Sequence, residues 1–168
     1  MKTIILKILL IGIITGVYAQ ERKTIGSIER LMPEMSNFIP DDGEIEILAE
    51  GFGWSEGPVW VDSLNALLFS DVPGNKVYKW SEKEGLSVFL NPSGYTGIAP
   101  REKKGSKNAM NRDESGSNGL VLDKSGQLII CMHGDRRVAR LTNWGKNDFT
   151  TIVGKYQGKY FNSPNDLV

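Results

Sequence analysis

Cysteine and histidine are almost absent: Cys131 and His133 are each alone of their kind in 168 residues. A single thiol excludes an intramolecular disulfide framework and a Cys-rich zinc site. A single imidazole excludes a His-clustered metal centre and a two-His catalytic arrangement. An excess of charge of either sign is missing too, because 20 Lys and Arg balance 20 Asp and Glu. The chain therefore carries no electrostatic footprint for nucleic acid or for an anionic membrane surface. Its 40% hydrophobic and 24% charged residues are ordinary globular composition, which argues against disorder. Glycine is plentiful, at 19 residues, and points to many short strands joined by tight turns.

No apolar run is long enough to be a membrane span. The longest lies at the N-terminus, where Met1-Lys2-Thr3 and Lys7 supply positive charge and Ile8 to Ile14 form a short apolar core broken only by Gly12. Val17-Tyr18-Ala19 then places small residues three and one positions before a cut ahead of Gln20. This pattern predicts a secretory signal peptide over residues 1–19, too short and wrongly flanked to span a bilayer; the alternative is an uncleaved N-terminal anchor. No cysteine follows the apolar core, which excludes a bacterial lipoprotein. Removal of residues 1–19 leaves 18 basic and 20 acidic side chains, a net charge of −2. The expected product is a slightly acidic exported protein, periplasmic or secreted, with no membrane association after cleavage. Cys131, inside Leu128-Ile129-Ile130-Cys131-Met132, is expected to be buried.

Residues 20–43, with Pro33, Pro40 and Asp41-Asp42-Gly43, read as an irregular lead-in. Beyond them, period-2 alternation dominates. Glu44 to Ala49 reads as a half-buried strand. Pro58–Val61, Ala66–Ser70, Lys76–Trp80 and Leu86–Leu90 follow at close spacing with turn signals between them, which predicts an antiparallel meander. A second set of four comprises Gly119–Leu122, Gln127–Cys131, Arg137–Leu141 and Phe149–Val153. Glu56-Gly57-Pro58-Val59 aligns with Asn118-Gly119-Leu120-Val121, 62 residues on, and a third start, Asn165-Asp166-Leu167-Val168, follows after 47. The longer first interval holds Asn91 to Gly116, a Gly/Ser/Lys-rich stretch that reads as an inserted loop. Four-stranded units at such a period are the signature of a β-propeller; the competing fold is a single β-sandwich. Residues 44–168 then form a partial propeller domain of about two blades and the start of a third. Because a propeller needs more blades to close, the chain is expected to be a fragment truncated at its C-terminus.

In a propeller the innermost strands run beside the axis, so equivalent positions at their starts converge. Those positions hold Glu56, Asn118 and Asn165, with Asp166 next to the last. One carboxylate and two amide carbonyls are hard oxygen donors suited to Ca²⁺ or Mg²⁺. Each has a plainer reading, Glu56 as a solvated surface charge and the two Asn as residues of the turns before strands. Aligned by repeat, His133 falls opposite Asp71; it either faces the channel mouth and binds a polar substrate or bonds within its own turn. Arg136 and Arg137 read first as solvated turn charges. Trp54, Trp60, Trp80 and Trp144 read as packing between blades rather than a sugar-stacking platform.

Several of these segments together resemble one family. Trp54-Ser55-Glu56-Gly57-Pro58-Val59-Trp60 and Leu68-Phe69-Ser70-Asp71-Val72-Pro73-Gly74-Asn75 look like the opening of the SMP-30/gluconolactonase family. Ser117-Asn118-Gly119-Leu120, Cys131-Met132-His133-Gly134-Asp135-Arg136-Arg137-Val138 and Asn162-Ser163-Pro164-Asn165-Asp166 are similar to its gluconolactonase branch, in the same order. The resemblance implies a six-bladed propeller, all-β, with an axial divalent metal, Ca²⁺ foremost, ligated here by Glu56 and Asn165. It implies a small-molecule lactone substrate, with Asn118 facing the same cavity; His133, from its place in the repeat, is the further candidate to contact the substrate. An Asn cannot take a proton at neutral pH, so the general base is expected in blades beyond the third, with Asp166 and Glu56 the candidates within this chain. The expected function is metal-dependent opening of a sugar-derived lactone; a non-catalytic propeller that binds a ligand or partner is the competing class, and an inactive truncated product the third.

Overall fold

The computed structural model describes residues 23–98 and 114–168, which leaves the expected signal peptide and part of the inserted loop outside the described residues. The chain divides into two compact units, one ending at Glu50 and the other running from Gly51 to Val168.

In the first unit a short 3-10 helix, Pro33–Asn37, begins at a proline, whose missing N–H is one that a helix start leaves unpaired anyway. The expected strand Glu44–Ala49 does not form. Glu46 instead makes an isolated antiparallel bridge to Thr24, flanked by Ile25 N donating to Ile45 O and Ile47 N to Lys23 O. Ile45 and Leu48 stay exposed, so the alternation there has no apolar face to bury and nothing to extend the pairing.

The second unit contains two four-stranded antiparallel sheets, each in sequential order. The first comprises β1 (Ser55–Val61), β2 (Ala66–Asp71), β3 (Lys76–Ser81) and β4 (Gly85–Leu90); the second comprises β5 (Ser117–Leu122), β6 (Leu128–Met132), β7 (Arg137–Asn143) and β8 (Asp148–Val153). A small hairpin, β9 (Lys155–Tyr156) with β10 (Lys159–Tyr160), follows. Its two-residue turn, Gln157-Gly158, has positive φ at both positions, the type I′ form whose twist suits a hairpin. No α-helix occurs among the described residues, and none there is long and apolar enough to cross a membrane.

Local chemistry sets these boundaries. Asn65, at φ 45°, closes the 3-10 turn Asp62–Leu64 between β1 and β2. In the matching turn of the second sheet, Asp123 Oδ1 accepts from the backbone N–H of Ser125 and Gln127. The sheets share one core. Val61, Leu68, Val77 and Leu90 from the first pack with Leu120, Leu128, Ile130, Met132, Ala139 and Leu141 from the second, and β5 lies against β1 and β2. Phe89 and Trp144 meet across the sheets at 5.7 Å between ring centroids. Trp144 thus performs the packing expected of it, whereas Trp60 is 46% exposed. Cys131 is fully buried, and burial pushes its thiol up to about 11, with the Asp166 carboxylate adding to the rise.

Candidate functional site at the starts of the inner strands

β1 and β5 share a defect at their starts. The pairing of β1 with β2 shifts between Glu56 and Val59, and that of β5 with β6 between Ser117 and Leu120. Each is a β-bulge carrying the paired residues Glu56-Gly57 and Asn118-Gly119. Bulges re-aim side chains away from the regular pleat and occur next to active sites. Gly57 adopts φ +54°, where L residues with a side chain are strained, and Pro58 has no N–H to lose from the ladder there.

The glycines also set how closely neighbours approach. A Cβ on Gly57 would lie 2.4 Å from Asn118 O and 2.8 Å from Gly119 Cα. A Cβ on Gly119 would lie 2.6 Å from Asp166 Oδ1 and 3.0 Å from Asn165 O. Gly119 N donates to Asn165 O at 2.8 Å. The three repeat starts are therefore stacked closely upon one another, with backbone against backbone at Gly57 and at Gly119.

This stacking brings the expected residues together. Asn118, 4% exposed, donates through Nδ2 to Asn165 Oδ1 at 2.7 Å. That bond leaves Asn118 Oδ1 and a second lone pair on Asn165 Oδ1 unused. Glu56, half-buried, stands one residue before the Gly57 contact with Asn118. Asp166 lies over Gly119, exposed, and its Oδ1 accepts from Leu167 N at 2.9 Å. Among the described residues no group of three His, Cys, Asp or Glu side chains is placed to hold a metal ion. Any cation at these strand starts must therefore draw on amide oxygens besides the Glu56 carboxylate.

The His133 side chain makes its contact with Glu114, Nε2 to Oε2 at 3.6 Å, while its backbone bonds within its own turn, Arg136 N donating to His133 O at 3.3 Å. Its Nδ1 is buried without a partner. The repeat alignment with Asp71 needs correcting: Asp71 pairs with Ser55, and the residue that pairs with the equivalent Ser117 is Met132. His133 therefore corresponds to Val72. Burial pushes its imidazole below the ordinary 6.5, with Glu114 pulling the other way. The unfolded chain then binds more protons than the folded one as pH drops below about 6.5, so this group costs stability on the acid side. Denaturant midpoints are expected to fall between about pH 7.5 and pH 5, and to fall less in His133→Gln.

Four polar groups are buried that the sequence did not mark as buried. Asp71, 5% exposed, accepts from Gly53 N and Trp54 N, both at 3.1 Å, and so fixes the entry to β1 just before Glu56. Arg137 is no solvated turn charge; it is 5% exposed, with Nη2 on Asp135 Oδ2 at 3.3 Å and Nη1 on Thr151 Oγ1 at 2.7 Å. Ser70 and Ser117 are both 0% exposed and hydrogen-bonded to each other. The available signal was a polar residue inside a run that otherwise reads as buried, because such a group needs a partner.

Residues 54–168 match the family described as SMP-30/Gluconolactonase/LRE-like region. A gluconolactonase from Zymomonas mobilis subsp. mobilis is 38% identical over 144 residues, which is 86% of this chain and 38% of that protein. A crystal structure provisionally named a gluconolactonase superposes with TM-score 0.64 at 34% identity, covering 81% of this chain and 39% of its own. A second, a gluconolactonase from Xanthomonas campestris described as important in glucose secondary metabolic pathways, gives TM-score 0.61 at 26% identity, covering 88% and 40%. The chain thus spans about two fifths of the length of the relatives it matches.

Proposed function

Because the chain belongs to the SMP-30/gluconolactonase/LRE-like family, we propose that it is the N-terminal part of an exported six-bladed propeller that hydrolyses a sugar-derived lactone. The observation that carries this reading is the Asn118–Asn165 contact beside Glu56, at bulged strand starts stacked through glycine. On this reading residues 1–19 are a signal peptide, residues 20–43 a lead-in and residues 44–168 the first blades, and the protein works in the periplasm or outside the cell.

The donor set suits a hard divalent cation, Ca²⁺ foremost: one carboxylate and amide oxygens, with no thiolate or imidazole among them. Glu56 and Asn165 would hold it, and when bound it would polarise the lactone carbonyl as a Lewis acid. The protein's own residues account for the rest. Asn118 donates through Nδ2 to Asn165 and leaves its side-chain Oδ1 to orient a substrate hydroxyl. Water adds to the lactone carbonyl carbon, the ring C–O bond breaks, and the leaving alkoxide takes up the proton that water gives away, so a hydroxy acid results. Within this chain Asp166 is the group able to accept that proton on its way, through the Oδ2 that its bond to Leu167 leaves unused. His133, at the neighbouring turn, contributes a polar contact to the substrate.

Glucono-1,5-lactone opening by the complete protein, followed by pH-stat, tests this. The rate above the spontaneous background is expected to vanish on chelation and to return with Ca²⁺. A complete, folded protein without that activity would instead be a ligand-binding propeller.

A further inference from the structure

The geometry points to Ser70 as a positioning residue for the site proposed above, on which this inference rests: its hydroxyl holds Asn118 in register with Glu56. Ser70 pairs with Glu56 across the first sheet. Its Oγ donates to Asn118 O at 2.8 Å and lies 2.7 Å from Ser117 Oγ. A serine hydroxyl has one proton. Since that of Ser70 goes to Asn118 O, the proton in the Ser70–Ser117 bond must come from Ser117. The direction of the relay is thereby fixed, Ser117 Oγ–H to Ser70 Oγ–H to the Asn118 carbonyl. Ser117 is held in turn, its N–H donating to Ser93 Oγ at 3.1 Å, and Ser93 N donates to Asn75 Oδ1 at 3.2 Å.

All three serines are 0% exposed, so no water substitutes for a missing partner without a rearrangement. The bulge at Ser117–Leu120 removes the regular ladder at this place, and the Asn118 carbonyl faces the first sheet rather than its own. Ser70 supplies the hydrogen bond that the ladder no longer gives. It also spans the seam between the sheets, tying the strand opposite Glu56 to the residue that holds Asn165. Loss of this hydroxyl leaves the Asn118 carbonyl and the Ser117 hydroxyl unpaired and frees Asn118 to shift against Glu56.

The test uses the complete protein with four substitutions: Ser70→Ala, Ser70→Cys, Ser117→Ala and, as a control, Ser81→Ala. Ser81 is also buried, but its Oγ accepts from Glu84 N at the far end of the first sheet. Calorimetric titration with Ca²⁺, well below the melting transition, reads the site without turnover. Ser70→Ala is expected to weaken Ca²⁺ binding by about tenfold or more, the usual cost of removing a group that orients a ligand. Ser117→Ala, which keeps the bond to Asn118, should lose less, and Ser70→Cys should recover part. Ser81→Ala should lower the melting temperature and leave Ca²⁺ affinity alone. Equal Ca²⁺ affinity in wild type and Ser70→Ala, with both folded, would overturn the inference. A wild type that neither binds Ca²⁺ nor opens the lactone would instead overturn the proposed function, so the two failures are told apart.

Discussion

A Gly57→Ala variant is expected to lose about 2–5 kcal/mol of stability and most of its soluble yield, measured by denaturant unfolding of the complete protein. Two independent effects add at this one position. Gly57 sits at φ +54°, where a Cβ costs roughly 1–2 kcal/mol of backbone strain. The added carbon would also lie 2.4 Å from Asn118 O, a backbone atom that cannot rotate aside. The only relief is to separate β1 from β5, which opens the seam between the sheets and removes the Asn118 carbonyl from Ser70. The change therefore strikes fold and site together. A variant with wild-type midpoint and wild-type lactone opening would mean that the two strand starts are not packed as described. Gly119 carries the same duty toward Asn165, but without a positive φ, so its replacement should cost less.

Glu56→Gln should act in the opposite way, sparing the fold and removing the chemistry. Glu56 is half-buried and has no ion pair among the described residues that a neutral amide would break, so the unfolding midpoint should stay within experimental error. The substitution keeps shape and removes the negative charge of the one carboxylate among the two proposed cation ligands, Glu56 and Asn165. For a hard cation this is the dominant attraction, and lactone opening should fall by about 100-fold or more. Titration with Ca²⁺ should show a matching loss of affinity. Activity within twofold of wild type would exclude Glu56 as a cation ligand.

How much of this could be read from the sequence depends on the range of the interaction concerned. All eight long strands were legible, because period-2 alternation, Asp/Asn/Gly turns and one-sided burial agree locally, and their bounds differ from expectation by a few residues at most. The same alternation misled at Glu44–Ala49, where no sheet is present to receive the apolar side chains. The small β9–β10 hairpin has too few residues to show a period. Register is harder still. Asp71 lies 16 positions after Ser55, but Met132 lies 15 after Ser117, so counting from the inner strand misplaces His133 by one.

The candidate site was legible to the extent that repetition reveals it. Glu56, Asn118 and Asn165 occupy one repeat position, and the structure brings Asn118 and Asn165 into contact. What escaped are the groups whose importance comes from partners distant in sequence. Arg137 looks solvated until Asp135 and Thr151 enclose it. Ser70 looks like a strand-end serine until β5 is laid against β2 and its hydroxyl meets Asn118 O. The glycines announce tight approach, but not which backbone approaches.

The most direct test of the shared cation is crystallographic: the anomalous signal from crystals of the complete protein grown with a calcium-sized lanthanide. One strong peak is expected within about 2.6 Å of both the Glu56 carboxylate and Asn165 Oδ1. A peak bound elsewhere, or strand starts that bind no ion while Glu56 turns its carboxylate to bulk solvent, would contradict the account.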